Sequence, residues 1–353
     1  MSSEVSVPVA VAAAEPVVPR FEVHFLASGS AGNCTLVEDG HGRFVIDFGL
    51  APQAFVGMLR ERGVHLDYSR KRNEVWLRRD RSAPPPLAGA VLTHTHSDHM
   101  QERTLRVLRE NGIRLYVHEA HLGPLRLNRD FRDLQDDGNV TVFGADDFAV
   151  TPATTARPLD LPHDCAGTTG FVFRHDAGAG RRAKFTYLAD LGHFRPELAD
   201  EARDSDILAL EFNHDLEMEN ASMRPRTLVN RVLGNHGHLS NDQAGQALRQ
   251  IVARSRRPPR WLVALHLSSD CNRHHLAERS ARAVLDELGA DTRVMVARQK
   301  LFSGSVAVEP VAAAPQGACG LDARHDHGGV VAAATATSGR SGLGVQQVLN
   351  LEL

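Results

Sequence analysis

Cysteine is scarce in this chain. Only Cys34, Cys165, Cys271 and Cys319 occur in 353 residues. They are too few and too scattered for a disulfide framework, so a reducing cytoplasm is the expected compartment. No stretch reaches the roughly 20 apolar residues that a membrane helix needs. A strong charge of one sign is also missing. A formal net charge of −3 supplies no global basic field for nucleic acid, so any such contact must come from local patches. The Ala/Val/Pro-rich N-terminus has no basic n-region and carries Glu4, Pro8, Glu15 and Pro16, which makes residues 1–20 a flexible leader rather than a secretion signal. No internal repeat of fixed period occurs. From Val311 onward Gly, Ala, Ser and Thr dominate, so 311–353 is expected to be a disordered tail and 21–310 the folded domain.

What the chain does have is histidine in one place. Behind a short apolar run at 87–92 comes Thr93-His94-Thr95-His96-Ser97-Asp98-His99, three imidazoles and a carboxylate within six positions. A short apolar run bounded by turn-formers predicts a buried strand, so the cluster falls on the loop that follows it. His94 and His96, two apart on extended backbone, point the same way. Imidazole and carboxylate are the usual ligands of borderline divalent ions.

The same arrangement recurs along the chain. Predicted strands at 43–47, 184–188, 206–210 and 261–265 end at Asp47, Asp190, Glu211 and His266 respectively, and His163 sits in a turn-rich loop before a strand at 171–174. Further strands are expected at 21–27, 34–38, 114–117, 140–143, 148–155 and 293–297. Helices are expected at 52–62, 101–111, 119–127, 241–254 and 276–288. Chemically useful groups where apolar strands stop predict a mixed sheet with helices outside and a site along one edge. The inventory suits two ions: His94, His96 and His163 for the first, and Asp98, His99 and His266 for the second. Asp190 can bridge, because a carboxylate has two oxygens. His238 competes with His266 for the last position; the strand end favours His266 and leaves His238 for substrate contact or proton transfer. Asp47 is either a structural anchor or the partner of a metal-bound histidine. Six basic residues surround Trp76 within 69–81. They read as a solvated insertion or as an arm on phosphates.

Together these residues resemble the metallo-β-lactamase superfamily. Its His-x-His-x-Asp-His signature matches His94, His96, Asp98 and His99, and His163, Asp190 and His266 match its later motifs in order. The resemblance implies an α/β fold, an αββα sandwich with a dinuclear metal site at the sheet edge, holding zinc or manganese. Ser28-Gly29-Ser30-Ala31-Gly32-Asn33-Cys34, Glu211-Phe212-Asn213-His214-Asp215, Gly237-His238-Leu239-Ser240-Asn241 and His266-Leu267-Ser268 with Asn272 are similar to the compact YycJ/WalJ-type branch, proposed to be DNA exonucleases. About 75 residues separate Asp190 from His266, too few for the extra domain of the larger nuclease relatives. True β-lactamases generally lack the aspartate that Asp190 supplies.

The expected activity is hydrolysis of a phosphodiester in nucleic acid, DNA favoured over RNA, by water activated between two ions, as in a 5′-to-3′ exonuclease. Asp98, Asp190, His238 and His214 are the candidate catalytic residues. Ser28, Ser30, Asn33, Asn213, Asn241 and Ser268 are the candidate substrate contacts, and the arginines of 254–260 are candidates for tracking the backbone. A hydrolase of a small thioester, lactone or phosphodiester is the alternative. A protein using the ions only structurally would need closed four-ligand sites.

Overall fold

The computed structural model describes residues 20–68 and 84–312. The expected leader up to residue 19, the basic stretch 69–81 and the tail beyond 312 lie outside the described residues. Fifteen strands occur among the described residues. The first six, β1 (Phe21–Ala27), β2 (Cys34–Glu38), β3 (Arg43–Ile46), β4 (Gly89–Val91), β5 (Leu115–His118) and β6 (Val140–Phe143), lie side by side in chain order. A second sheet takes β7 (Phe148–Ala149), β8 (Thr154–Asp160), β9 (Thr169–Asp176), β10 (Arg181–Leu188), β11 (Ile207–Glu211), β12 (Trp261–Leu265) and β13 (Arg293–Val296). The chain then returns to the first sheet, where β14 (Gly304–Val308) pairs antiparallel with β1. β15 (Val311–Ala312) pairs with Arg181 and Arg182, two residues into the region expected to be tail.

Strand alternation builds the layers. In β11, Ile207 and Ala209 face the first sheet while Leu208 and Leu210 face helices; β12 divides Val263 and Leu265 from Leu262 and Ala264 in the same way. Phe21, Phe25, Phe44, Phe171, Phe173 and Phe185 fill the space between the sheets. Outside the first sheet lie α1 (Pro52–Arg60), α2 (Leu105–Glu110) and, beyond the single turn α3 (Leu122–Leu125), α4 (Arg129–Asp136). Phe55, Leu59, Leu105, Leu108, Phe131 and Leu134 from these helices pack on Leu36, Val45, Leu92 and Leu115. Outside the second sheet, α5 (Pro196–Ala202) supplies Leu198, α8 (Asn241–Arg254) supplies Leu248 and Ile251, and α9 (His274–Glu287) supplies Leu285. Two shorter helices, α6 (Leu216–Asn220) and α7 (Arg226–Leu233), lie between β11 and α8 in the chain. The result is the expected αββα sandwich.

One expectation about local structure needs correction, and several elements, α4 to α7 and β14 among them, have no counterpart in the sequence reading. The strand expected at 148–155 is two strands, because the Thr151 hydroxyl accepts hydrogen bonds from the N–H groups of Ala153 and Thr154 and turns the chain there. The helix α4 was missed in a strongly charged segment; Asn128 caps it, and only Phe131 and Leu134 are buried. The strand β14 was missed because its short Gly-Ser-Val-Ala-Val run follows an unpatterned loop.

Topology places the site. β3 to β6 are mutually parallel, as are β10 to β13. Loops leaving the carboxyl ends of parallel strands therefore gather at one end of the sandwich, where ligand sites form in α/β sheets. Asp47, the 93–99 loop, Asp190, Glu211 and His266 leave from those ends.

Candidate metal centre

Four groups of ligating atoms converge at that end, each lying within 4.8 Å of one another: His94, His96 and His163; His94, His99 and Asp190; Asp98, His99 and His266; and Asp190, Glu211, His238 and His266. In the first group His94 Nε2 lies 3.0 Å from His96 Nδ1, and His163 Nε2 lies 3.4 Å from the same atom. Asp190 spans the groups. Its Oδ2 is 2.8 Å from His99 Nε2, and its Oδ1 is 3.5 Å from His266 Nδ1 and 4.0 Å from His163 Nε2. His266 Nε2 is 3.3 Å from Asp98 Oδ2. All seven residues singled out as ligands thus meet in one place. Of the two competing histidines, His266 lies 3.3 Å from both Asp98 and Glu211, whereas His238 Nδ1 lies 2.8 Å from Glu211 and 3.5 Å from Asp190.

Neighbouring groups fix each imidazole. A carboxylate can only accept, so His99 Nδ1–H donates to Asp47 at 2.7 Å and turns Nε2 toward Asp190. Asp47 also accepts from the N–H and hydroxyl of Thr93 at 2.8 and 3.0 Å, which ties β3 to the histidine loop. His163 Nδ1–H donates to the carbonyl of Gly237 at 3.1 Å. Asp164 lies 3.6 Å from His96 Nε2 and is itself held by Arg231 of α7.

The backbone is shaped for this purpose. Asp47, Asp190 and His266 have φ of 61°, 60° and 55°, a left-handed conformation that costs a residue with a Cβ about 1–2 kcal/mol. At His266 it is held from both sides: the N–H donates to Ser28 Oγ at 2.9 Å, and the carbonyl accepts from Asn213 Nδ2 at 2.8 Å. Gly49 shows how tightly β3 and the histidine loop approach, since a Cβ there would lie 1.7 Å from the carbonyl oxygen of Asp98. Gly49→Ala should therefore destabilise the fold by about 3 kcal/mol or more, read as a lowered midpoint in denaturant unfolding; an unchanged midpoint would show that the loop can yield.

The cage suits cations. Asp47, Asp190 and Glu211 are almost fully buried, and the only group placed against Asp190 Oδ2 among the described residues is the His99 imidazole, at 2.8 Å. Burial opposes ionisation of Asp98, yet the His266 hydrogen bond and the His99 charge outweigh it and hold that carboxyl down at about 2. Glu211 is likewise held at about 2 against burial, by His238 and His266. Burial opposes charge on His266, but Asp190, Asp98 and Glu211 raise it to about 10. A concentration of buried carboxylate draws positive charge from whatever can supply it, and three imidazole nitrogens facing one point cannot be satisfied by a single proton. These donors are of the kinds that bind divalent ions.

Several residues expected at the substrate do other work. Ser28 is buried and accepts from His266. Asn33 Nδ2 donates to the carbonyls of Gly29 and Asp98 at 3.2 and 3.1 Å. Asn213 holds His266, and Asn241 exchanges hydrogen bonds with Asn272. Ser268 Oγ accepts from Arg224 and from the N–H of Cys271. All five are buried with their polar atoms engaged, so they set the cage's shape; of the six, only Ser30 is exposed. The loop's own N–H groups at Ser28, Gly29, Gly32 and Asn33 are also engaged within the protein. His214 is 1% exposed, and neither ring nitrogen has a partner; it lies too deep to meet a phosphate. The arginines of 254–260 sit at the opposite end of the strands, roughly 15 Å from the cage. Arg254, Arg256 and Arg257 are there paired with Asp200, Asp204 and Asp206.

Sequence reasoning passed over Glu211 as a site residue. It is fully buried, and its Oε1 accepts from His238 Nδ1–H at 2.8 Å. Oε2 accepts from the N–H groups of Leu191 and Leu239 at 3.1 and 3.3 Å. The signal was present: an acid ending an apolar strand, as at Asp190.

Comparison with known proteins agrees with this geometry. A family model described as β-lactamase superfamily domain matches residues 66–266. The exodeoxyribonuclease YycJ of Bacillus anthracis is 25% identical over 275 residues, covering 76% of this chain and 90% of that protein. Two solved structures share the fold at 15% identity. The metallo-β-lactamase fold protein YhfI of Bacillus subtilis has a TM-score of 0.54, covering 82% of this chain and 100% of that one. Zn²⁺-bound PqqB of Methylobacterium extorquens has a TM-score of 0.55, covering 81% and 99%. With over half of its length matched and the same sandwich carrying the His/Asp cluster, the chain belongs to the β-lactamase superfamily, in its metallo-β-lactamase fold, and is a hydrolase of that superfamily.

Proposed function

We propose that this protein is a cytoplasmic dinuclear metal-dependent phosphodiesterase acting on nucleic acid, a 5′-to-3′ DNA exonuclease in type. The observation that carries the reading is the pair of donor sets sharing Asp190 beside a histidine that a buried glutamate orients. His94, His96 and His163 would hold one divalent ion, and Asp98, His99 and His266 the other, with Asp190 available to both; zinc and manganese suit these donors. When bound, such a pair supplies Lewis acidity toward a phosphoryl oxygen and acidifies water.

The chain's own residues do the rest. Asp47, Thr93 and the Gly237 carbonyl keep the ligating nitrogens aimed inward, so little reorganisation is needed as charge develops. Glu211 accepts the Nδ1–H of His238 and so fixes its tautomer. Nε2 is left as the nitrogen that exchanges a proton at the leaving oxygen. His238 is the group placed for this, with a side chain 18% exposed, whereas His214 is buried. The polynucleotide substrate is supported by the name of the YycJ relative, which covers most of both chains.

The test is turnover of 5′- and 3′-labelled DNA and RNA by metal-reconstituted protein, with products read by length. Mononucleotides released from the 5′ end of DNA are expected. Turnover of thioesters or lactones with DNA left intact would overturn the reading.

A further inference from the structure

Beside the cage lies a cavity of about 600 Å³, within the range of small-ligand sites. The histidine loop forms the wall between them. His94 and His96 point into the cage, while Thr95 and Ser97, the residues interleaved with them, line the cavity. Pro52 and Gln53 at the start of α1 line it as well, with Met100 and Gln101. Tyr68 lines it too and packs on the core under the first sheet. The chain before Tyr68 is pinned, because Asp67 N–H donates to Asn111 Oδ1 at 2.8 Å and Asn111 Nδ2 donates to the Asp67 carbonyl at 2.8 Å.

The lining selects a class of ligand. Glu102 and Arg103 bring opposite charges, so nothing here favours an isolated phosphate. An acyl chain would desolvate two amides and an ion of each sign without replacing their hydrogen bonds. A flat heterocycle meets both needs. The half-buried Tyr68 ring offers a surface for one of its faces, and Gln53 and Gln101 each offer a donor and an acceptor for its edge.

We propose that this cavity is a subsite for one nucleobase of the substrate strand, seated across the histidine loop from the scissile phosphate. The inference rests on the phosphodiesterase reading above and adds to it where the strand lies. Amides can pair with the edges of several bases, so the subsite favours the presence of a base over its identity.

The test compares ordinary single-stranded DNA with strands carrying one abasic site, placed in turn at the terminal nucleotide and at its neighbour. The enzymes are the unsubstituted protein, Tyr68→Ala and Gln101→Ala, each checked for unchanged metal content. One abasic position should raise KM about ten- to a hundredfold, with kcat largely kept. Tyr68→Ala should show a similar rise on ordinary DNA and little further penalty on the abasic strand, because the two changes remove one contact. Hydrolysis of DNA that ignores every abasic position, or penalties that multiply independently, would overturn the subsite and leave the nuclease reading intact. No hydrolysis of DNA by the unsubstituted protein would overturn both.

Discussion

Asp190→Asn should abolish turnover, lowering kcat/KM by a factor on the order of 10³ or more, and should leave the protein with fewer than two ions. Among the described residues, Asp190 is the carboxylate whose oxygens reach toward both donor sets, at 2.8 Å from His99 and 4.0 Å from His163. An amide keeps the shape but presents one oxygen and one NH2 group, and the NH2 meets imidazole nitrogens or an ion where an acceptor is needed. The change also removes a buried negative charge on which His99 and His266 both rely. Metal analysis after gel filtration, alongside circular dichroism to confirm folding, checks this outcome. A folded variant with two ions and ordinary activity would show that Asp190 is not shared.

His238→Ala should retain both ions yet lose about 10²- to 10⁴-fold in kcat on DNA, the range for removing a general acid. Glu211→Gln should lose less, on the order of tenfold to a hundredfold, because the amide still occupies the space but no longer fixes the tautomer. Loss of packing could mimic either effect, so the leaving group supplies the control. A p-nitrophenyl phosphodiester releases p-nitrophenolate, which leaves without being protonated. On that substrate the His238→Ala defect should shrink to within a fewfold of the unsubstituted protein, and the Glu211→Gln defect should shrink with it. An equal loss on both substrates would mean that His238 holds the site together without handling a proton.

Most of the cage residues could be read from the chain because they follow a local rule, His163 in its turn-rich loop being the exception. His94 to His99 are close in sequence, and Asp190 and His266 end strongly apolar strands, where a side chain emerges at the sheet's edge. The positioning network could not be read that way. Ser28 meets His266 across 238 positions, and nothing within either loop distinguishes a serine that holds a histidine from one that greets a phosphate. The arginines of 254–260 failed for the same reason. A local basic run looks like a phosphate track until the parallel pairing of β11 with β12 puts it at the far end, beside Asp204 and Asp206. Glu211 needed that pairing too, because only as the strand between Asp190 and His266 does β11 bring its terminal acid to the site. The helix α4 escaped because two buried residues in eight make too faint a stripe to compete with its charges.

Anomalous diffraction from crystals grown with manganese or zinc tests the central claim most directly. The account predicts two peaks per chain, one among His94, His96 and His163 and one among Asp98, His99 and His266, with Asp190 touching both. A single peak, or a pair that leaves Asp190 without an ion, would contradict it.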